Sequence, residues 1–227
     1  MKKSLSVLVA GAMVSSMFAS LAFADDAADK TTEEKLQELI AADIFDPEGT
    51  GNGYELEAHM TREQLAKILA KLKKLEELDT TQIYDDVETD RWSAGFIAAV
   101  SKAVPPLMDG VADGVFDPAG DVTLEQLATV AVRALNLQVK DGDVEGEVSD
   151  WAKGYVATAL ENGLIGDKSD YTEYALRADL VESTYATREA LAELNKPAKV
   201  SIKEAKAVGV QKVQVTLDRD VDTSKAT

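Results

Sequence analysis

A recurring pattern of apolar residues restricts the folds open to this chain. Trp92 and Trp151 each begin a run with apolar residues at the fourth, fifth and eighth following positions. This spacing is typical of an amphipathic helix with one apolar face. The first run ends at Pro105-Pro106 and the second at Gly163, residues that interrupt or terminate helices. Two related helices, each followed by a loop, are therefore predicted.

A second kind of helix recurs in the same way. Residues 61–66 (Thr-Arg-Glu-Gln-Leu-Ala) parallel residues 123–128 (Thr-Leu-Glu-Gln-Leu-Ala). Each can open with a capping box, in which the threonine hydroxyl accepts from the amide three residues on and the glutamine reaches back to the threonine amide. Thr61 and Thr123 are therefore predicted helix starts. The apolar stripes that follow also match: Leu65, Ile68, Leu69 and Leu72 in one helix, and Leu127, Val130, Ala131 and Ala134 in the other.

A third, weaker copy of this helix lies further along. It lacks a threonine cap, and its apolar stripe gives way to Ser183 and Thr184. A start at Thr187 competes with a start at Arg177. We favour Arg177, because it places Leu180-Val181 where the other two helices have Leu-Ala.

The first copy has a leading helix of its own, predicted from Thr32 to about Ala42. Thr31 and Glu34 can form its capping box, and Leu36 and Ile40 lie on one face. Thr31 stands where the other two copies have tryptophan.

The pattern predicts a mainly α fold of three helix-loop-helix repeats, over residues 32–78, 82–140 and 144–193. A repeat of this size cannot bury its own apolar face, so neighbouring repeats must pack together. The second helices carry the longest apolar stripes. They are predicted to form a central three-helix bundle.

The two ends of the chain have different patterns. Residues 1–24 read as a secretory signal peptide: two lysines, an uncharged apolar run and the cleavage signature Ala22-Phe23-Ala24. From Pro197 the period changes to two, as in half-buried strands, over Lys199–Ile202 and Lys212–Leu217. Because two strands cannot form a stable domain, residues 198–227 are expected to be the truncated start of an Ig-like β-sandwich.

The charge balance limits the partners. With 24 Lys and Arg against 41 Asp and Glu, the net charge is −17, which disfavours general nucleic-acid binding. Apart from the predicted signal peptide, no segment of the sequence is long and apolar enough to span a membrane. A polyanionic ligand would therefore have to be held by a few local cations.

Motifs for catalysis are lacking. The sequence has one histidine, His59, no cysteine, no G-x-S-x-G motif and no cluster of metal ligands. The chain itself is not expected to be an enzyme or to need a cofactor. It could still anchor an exported enzyme whose catalytic domain lies beyond Thr227.

Several short motifs, in a fixed order, resemble the S-layer homology (SLH) domain, which usually occurs in three tandem copies. In the second repeat these motifs are Tyr84-Asp85-Asp86-Val87, Trp92, Leu107-Met108-Asp109-Gly110, Asp113-Gly114-Val115-Phe116-Asp117-Pro118 and Thr123-Leu124-Glu125-Gln126. The resemblance covers residues 32–193 and lies in their order and spacing.

The resemblance implies a pseudo-threefold spindle at the N-terminus of a Gram-positive S-layer protein, secreted and held at the cell wall. It also implies binding of a secondary cell-wall polysaccharide, often bearing 4,6-ketal pyruvate on N-acetylmannosamine, in grooves between repeats. Other S-layer subunits would be contacted through further domains.

Two arginines are the main candidates for holding a carboxylate ligand. Arg62 follows the N-cap of its helix, where unpaired amides and the helix dipole favour anions, and its planar fork matches a carboxylate. Arg177 has the corresponding position without the threonine cap, and Gln64, in the same turn as Arg62, is a further candidate for contacting the carbohydrate. We expect Arg62 to be the stronger contact. The second repeat has Leu124 instead, so its groove should bind weakly or through Lys102.

Three further residues are candidates for sugar contacts, each with an ordinary structural alternative. Trp92 and Trp151 offer flat faces to sugar C–H groups, or they anchor helix packing. Gly110 allows a ligand to approach the backbone, or it simply serves a turn.

Calcium binding is a competing interpretation of the first loop. Asp46, Glu48, Thr50 and Glu57 fall at positions 1, 3, 5 and 12 of an EF-hand-like loop, with Gly51 at position 6. The corresponding loop of the second repeat does not repeat this pattern.

Overall fold

The computed structural model describes residues 30–46, 54–78, 82–196, 202–209 and 212–217. The predicted signal peptide, residues 1–24, lies outside these ranges. The chain divides into two compact units, Met1–Leu191 and Ala192–Thr227. The described elements are α1 (Thr32–Ala41), α2 (Arg62–Leu72), α3 (Ala94–Lys102), α4 (Leu124–Ala134), α5 (Lys153–Glu161), α6 (Arg177–Leu194), β1 (Ile202–Gly209) and β2 (Lys212–Leu217). The prediction of a mainly helical chain is confirmed.

The predicted helix starts are confirmed. The hydroxyl of Thr31 accepts from the Glu34 amide at 3.2 Å, and that of Thr123 accepts from the Gln126 amide at 3.3 Å. α2 begins after Thr61, whose amide donates to the Gln64 side chain at 3.0 Å.

The favoured register of α6 is also confirmed, since this helix begins at Arg177 and not at Thr187. Its threonine cap is missing, and a carboxylate takes over part of the task. The Leu176 amide donates to Asp179 at 2.9 Å. Ser183 and Thr184, where the apolar stripe gives way, are nevertheless buried, and the Thr187 hydroxyl is satisfied within the helix by the Ser183 carbonyl at 2.7 Å.

The two leading helices begin later than the tryptophan pattern predicts. α3 starts at Ala94 and α5 at Lys153, so Trp92 and Trp151 lie in the preceding turns. Each turn is fixed by a buried glutamate of the helix before it. Glu63 accepts from the Ser93 hydroxyl at 2.6 Å, and Glu125 accepts from the Ser149 amide at 2.9 Å. These bonds hold the chain in a turn where the apolar spacing alone favours helix.

Each leading helix packs against the second helix that precedes it. α3 packs on α2, and α5 packs on α4. α1 is joined to α6 across the sequence, since Lys35 bonds Glu182 at 2.6 Å and Arg188 bonds Glu38 at 2.9 Å. The apolar stripes predicted for α2 and α4 are buried throughout.

Hydrogen bonds between helix starts and loops link the three second helices in a ring. The first two amides of α2 donate to carbonyls of the loop before α4, and those of α4 donate to the loop before α6. The first two amides of α6 donate to the loop before α2, which completes the ring. The bonds are Arg62 to Gly120 (2.9 Å), Glu63 to Pro118 (3.0 Å), Leu124 to Glu173 (2.9 Å), Glu125 to Tyr171 (2.8 Å), Arg177 to Ala58 (2.7 Å) and Ala178 to Leu56 (2.9 Å).

The second unit contains an antiparallel pair of strands. β1 pairs with β2 in a register that places Ala205 opposite Val215. The strand predicted over 212–217 is confirmed. The other strand runs over 202–209, and of the predicted residues 199–202 only Ile202 lies within the described part of the chain. The predicted β-sandwich stays a prediction.

Because Glu63 connects α2 to α3, its charge should matter for stability. It is buried and accepts from Arg91 at 2.8 and 2.9 Å and from Ser93 at 2.6 Å. We expect Glu63→Gln to lower the free energy of unfolding by about 1–2 kcal/mol, since charge-assisted bonds become neutral. Glu33→Gln, on the exposed first turn of α1, should change it by less than about 0.5 kcal/mol. Urea unfolding measures both, and equal effects would contradict this role of Glu63.

Candidate functional site

Four segments of the chain surround a cavity of about 270 Å³, which we call the first groove. Its walls come from the loop after α1, one face of α2, the turn before α3 and the start of α6. The lining residues are Ile44, Phe45, Asp46, Met60, Gln64, Lys67, Ile68, Trp92 and Arg177.

A cavity of about 380 Å³, the second groove, is built in the same way from the following repeat. Its lining residues are Arg62, Leu65, Leu107, Met108, Asp109, Gly110, Val111, Gln126, Thr129, Val130, Arg133 and Trp151. Both volumes lie near the lower end of the range for small-molecule pockets, so each groove suits a group of about monosaccharide size.

Residues at corresponding places line the two grooves. Each groove has a glutamine from the first turn of α2 or α4 and an aspartate from the loop before that helix. Each also has a tryptophan from the turn that follows that helix, and an arginine that is the first residue of a helix from another repeat. In the order first groove then second groove, these are Gln64 and Gln126, Asp46 and Asp109, Trp92 and Trp151, and Arg177 and Arg62.

Arg177 leaves a buried donor without a partner. Only 8% of the residue is exposed, and its Nε has no hydrogen-bond partner among the described residues. Burial lowers the pKa of Arg177, an effect that the carboxylates of Glu55 and Asp46 partly oppose. Because a guanidinium stays charged even so, this group favours an anion in the first groove.

Arg62, in contrast, is bonded to the loop of the second groove. Its Nε donates to the Phe116 carbonyl and one terminal nitrogen donates to the Asp109 carbonyl, both at 2.8 Å. The guanidinium also lies 4.7 Å from the centre of the Phe116 ring. Burial lowers the pKa of Arg62. Arg62 therefore holds the loop, and the geometry favours Arg177 as the freer anion contact.

The expectation that helix starts offer unpaired amides is wrong. The amides of Arg62 and Glu63 donate to carbonyls of the next loop, and the amides of Arg177 and Ala178 do the same. Since these donors are used by the ring of hydrogen bonds, a ligand carboxylate would have to be held by side chains.

Both tryptophans are largely exposed at the groove edges, Trp92 by 52% and Trp151 by 55%. Lys67 Nζ lies 5.7 Å from the centre of the Trp92 ring. Such exposure of a large aromatic ring fits a surface for stacking and does not fit the alternative of a buried packing anchor.

The structure separates the remaining candidates. Gln64 and Gly110 line the first and the second groove respectively. A Cβ at Gly110 would lie 2.5 Å from the Val115 carbonyl oxygen, so the loop itself requires glycine. Lys102 is exposed at the end of α3 and lines neither groove. The expected substitute for the missing arginine is therefore not brought to the site.

At the position on α6 that corresponds to Lys67 on α2, the chain has Glu182. Leu124 is buried, and Glu182 of α6 accepts from the Thr32 hydroxyl and from Lys35, both at 2.6 Å. Side chains of α1 thus cover this face of α6. The weak binding expected of the groove with leucine stays a prediction.

The calcium interpretation is tested only in part. Glu48 and Thr50 lie outside the described residues, and Asp46 is bonded to Lys67. Within the described ranges no three carboxylate, histidine or cysteine side chains are grouped as a metal site would need.

None of the described helices, α6 included, has the apolar length needed to cross a bilayer.

Sequence reasoning overlooked Lys67, considered Asp46 only as a calcium ligand and considered Asp109 only as part of a motif. Lys67 follows Gln64 by one helical turn, and Asp46 follows Ile44-Phe45 as Asp109 follows a similar apolar pair. Comparing the loops between repeats would have identified both.

Comparison with known proteins shows relatives at the bacterial surface. No family model matches the chain. It is 27% identical over 205 residues to the middle cell wall protein of Brevibacillus brevis, covering 80% of this chain and 19% of the relative. It is 26% identical over 212 residues to the surface-layer 125 kDa protein of Lysinibacillus sphaericus, covering 86% and 18%. The exoglucanase XynX of Acetivibrio thermocellus is 28% identical over 152 residues, covering 62% and 13%.

The chain thus spans at most 19% of the length of these relatives. The predicted location at the cell wall and surface layer is confirmed by these names. The relatives include both surface-layer proteins and an enzyme.

Proposed function

We propose that this chain anchors a surface-layer protein to the bacterial cell wall by binding an acidic, pyruvylated secondary wall polysaccharide. The observation that carries the proposal is the first groove, a cavity edged by exposed Trp92 and lined by buried Arg177, whose Nε has no hydrogen-bond partner among the described residues. Kinship with cell-wall and surface-layer proteins supports it.

The proposed architecture is a triplet of SLH repeats in a pseudo-threefold spindle, with α2, α4 and α6 as a central bundle. Two observations support this arrangement: the ring of hydrogen bonds between helix starts and loops, and the correspondence between the linings of the two grooves. The repeats would span residues 32–78, 82–140 and 144–193.

Three side chains supply the chemistry that such a ligand needs. The planar fork of Arg177 matches the ketal carboxylate, and Lys67 adds a second positive charge. Trp92 presents a face to the C–H groups of the sugar ring. Since the chain carries a net charge of −17, the attraction has to be local.

An anchoring role would also suit an exported enzyme. The match to an exoglucanase favours this second candidate, in which the same module holds a catalytic domain at the wall. In either case, further domains would make the remaining contacts, including those to other surface-layer subunits.

The proposal predicts that binding depends on the ligand's negative charge. We expect the chain to bind the methyl glycoside of 4,6-O-(1-carboxyethylidene)-N-acetylmannosamine at least about tenfold more tightly than its methyl ester, because the ester cannot form charge-assisted bonds with Arg177. Isothermal titration calorimetry measures both affinities. Equal affinity would contradict the carboxylate mechanism.

The wall itself provides a second measurement. Sacculi of Brevibacillus brevis, the source of one relative, can be treated with mild acid to hydrolyse their ketals. The chain should co-sediment with the untreated sacculi and should stay in the supernatant with the treated sacculi. Retention of the chain by neither preparation would contradict the anchoring role.

A further inference from the structure

The first groove already contains a carboxylate, that of Asp46, next to the positively charged Lys67. Asp46 accepts from Lys67 Nζ with both of its oxygens, at 3.0 and 2.9 Å. It also lies 4.0 Å from Lys71 Nζ. The lysine that could attract an anionic ligand is therefore neutralised by the protein's own side chain.

The second groove has the same arrangement. Asp109, which corresponds to Asp46, accepts from Arg133 at 2.6 Å. Arg133 occupies the place on α4 that Lys71 occupies on α2. An aspartate paired with a cation of the adjacent helix thus recurs in both grooves, and in both it comes from the loop after a leading helix.

We infer that Asp46 is an internal competitor for the ligand's carboxylate, and that an acidic ligand displaces it from Lys67 on binding. The inference rests on the proposed function. It divides the cations of the groove into two kinds: Arg177 Nε is unpartnered, whereas Lys67 becomes available only when Asp46 leaves.

Displacement of Asp46 is feasible on physical grounds. Its side chain is 53% exposed, so the carboxylate can turn into water without being buried unpaired. Ion pairs with one exposed partner contribute little to stability, and a ligand carboxylate can replace them. A neutral sugar offers no anion for Lys67 and leaves Asp46 in place. The competitor therefore lowers the affinity for acidic ligands and leaves the affinity for neutral ones nearly unchanged.

Removing the competitor should strengthen binding. We expect Asp46→Asn to bind the same pyruvylated methyl glycoside about three- to fivefold more tightly, the ratio that corresponds to losing one exposed ion pair. Affinity for the methyl ester should change by less than about twofold, since an ester gains little from a freed lysine.

Asp43→Asn is the matched control. Asp43 accepts from Lys71 at 2.9 Å, but its side chain is 89% exposed and does not line the groove. Asparagine also tolerates its positive φ of 57°. This variant removes the same charge nearby, so its affinity for the acid should rise by less than about twofold.

The outcomes separate the inference from the proposed function. If the unaltered chain binds the acid and Asp46→Asn binds it no more tightly, Asp46 is not a competitor. An equal gain in Asp43→Asn would mean that general charge repulsion is responsible, which also overturns the inference. If neither the unaltered chain nor Asp46→Asn binds the acid, the proposed function itself is overturned. Circular dichroism melts confirm that the variants are folded.

Discussion

Replacement of Arg177 by methionine should weaken binding of the pyruvylated methyl glycoside by about 10- to 100-fold and leave the protein as stable as before. The loss corresponds to charge-assisted hydrogen bonds between the guanidinium and the carboxylate. Stability should change by less than about 1 kcal/mol, because a buried charge with an unpartnered donor is replaced by an apolar side chain of similar length.

Leu124→Met is the matched control for this variant. It places the same side chain at the first position of α4, which corresponds to the first position of α6. Affinity should stay within about twofold of the unaltered chain, since Leu124 lines neither groove. If Arg177→Met retained full affinity, Arg177 could not be the principal anion contact.

Arg62→Met should have the opposite outcome: a loss of stability of about 3 kcal/mol. The carbonyls of Phe116 and Asp109 lose their charged donors and remain in a site where the arginine was 5% exposed. Urea unfolding followed by tryptophan fluorescence reports on the repeats, because both tryptophans of the chain, Trp92 and Trp151, lie there.

Arg133→Met is the control for stability. Arg133 also bonds Asp109, but through the exposed carboxylate, so its loss should cost less than about 1 kcal/mol. Comparable losses in Arg62→Met and Arg133→Met would contradict the idea that Arg62 supports the loop through its backbone bonds.

Local sequence signals were sufficient to predict most helices. Thr31, Thr61 and Thr123 mark helix starts because capping depends on residues within one turn. The apolar stripe of α2 predicts its buried face for the same reason. The prediction that a helix begins at Trp92 was wrong. The apolar spacing after Trp92 matches a helix, but a hydrogen bond from Ser93 to the distant Glu63 keeps Trp92 in a turn.

The site was less predictable because its properties depend on contacts between repeats. Arg62 and Arg177 occupy the same position in their helices, and the local difference between them, the threonine cap before Arg62, does not account for their different contacts. The difference arises from the loops that they meet: the loop at 109–116 offers carbonyls to Arg62, whereas Arg177 Nε meets no acceptor among the described residues. In the same way, the ring of hydrogen bonds that uses the helix-start amides joins residues more than 45 positions apart along the chain.

The ring of hydrogen bonds also determines how the repeats would respond to mechanical force. A pull on the chain after α6 acts on a helix whose first amides are bonded to the loop before α2, and whose side chains are paired with α1. Tension would therefore pass at once into the first repeat, and the third repeat could not peel away alone. Such load sharing would make rupture a cooperative event, as the proposed anchoring role requires.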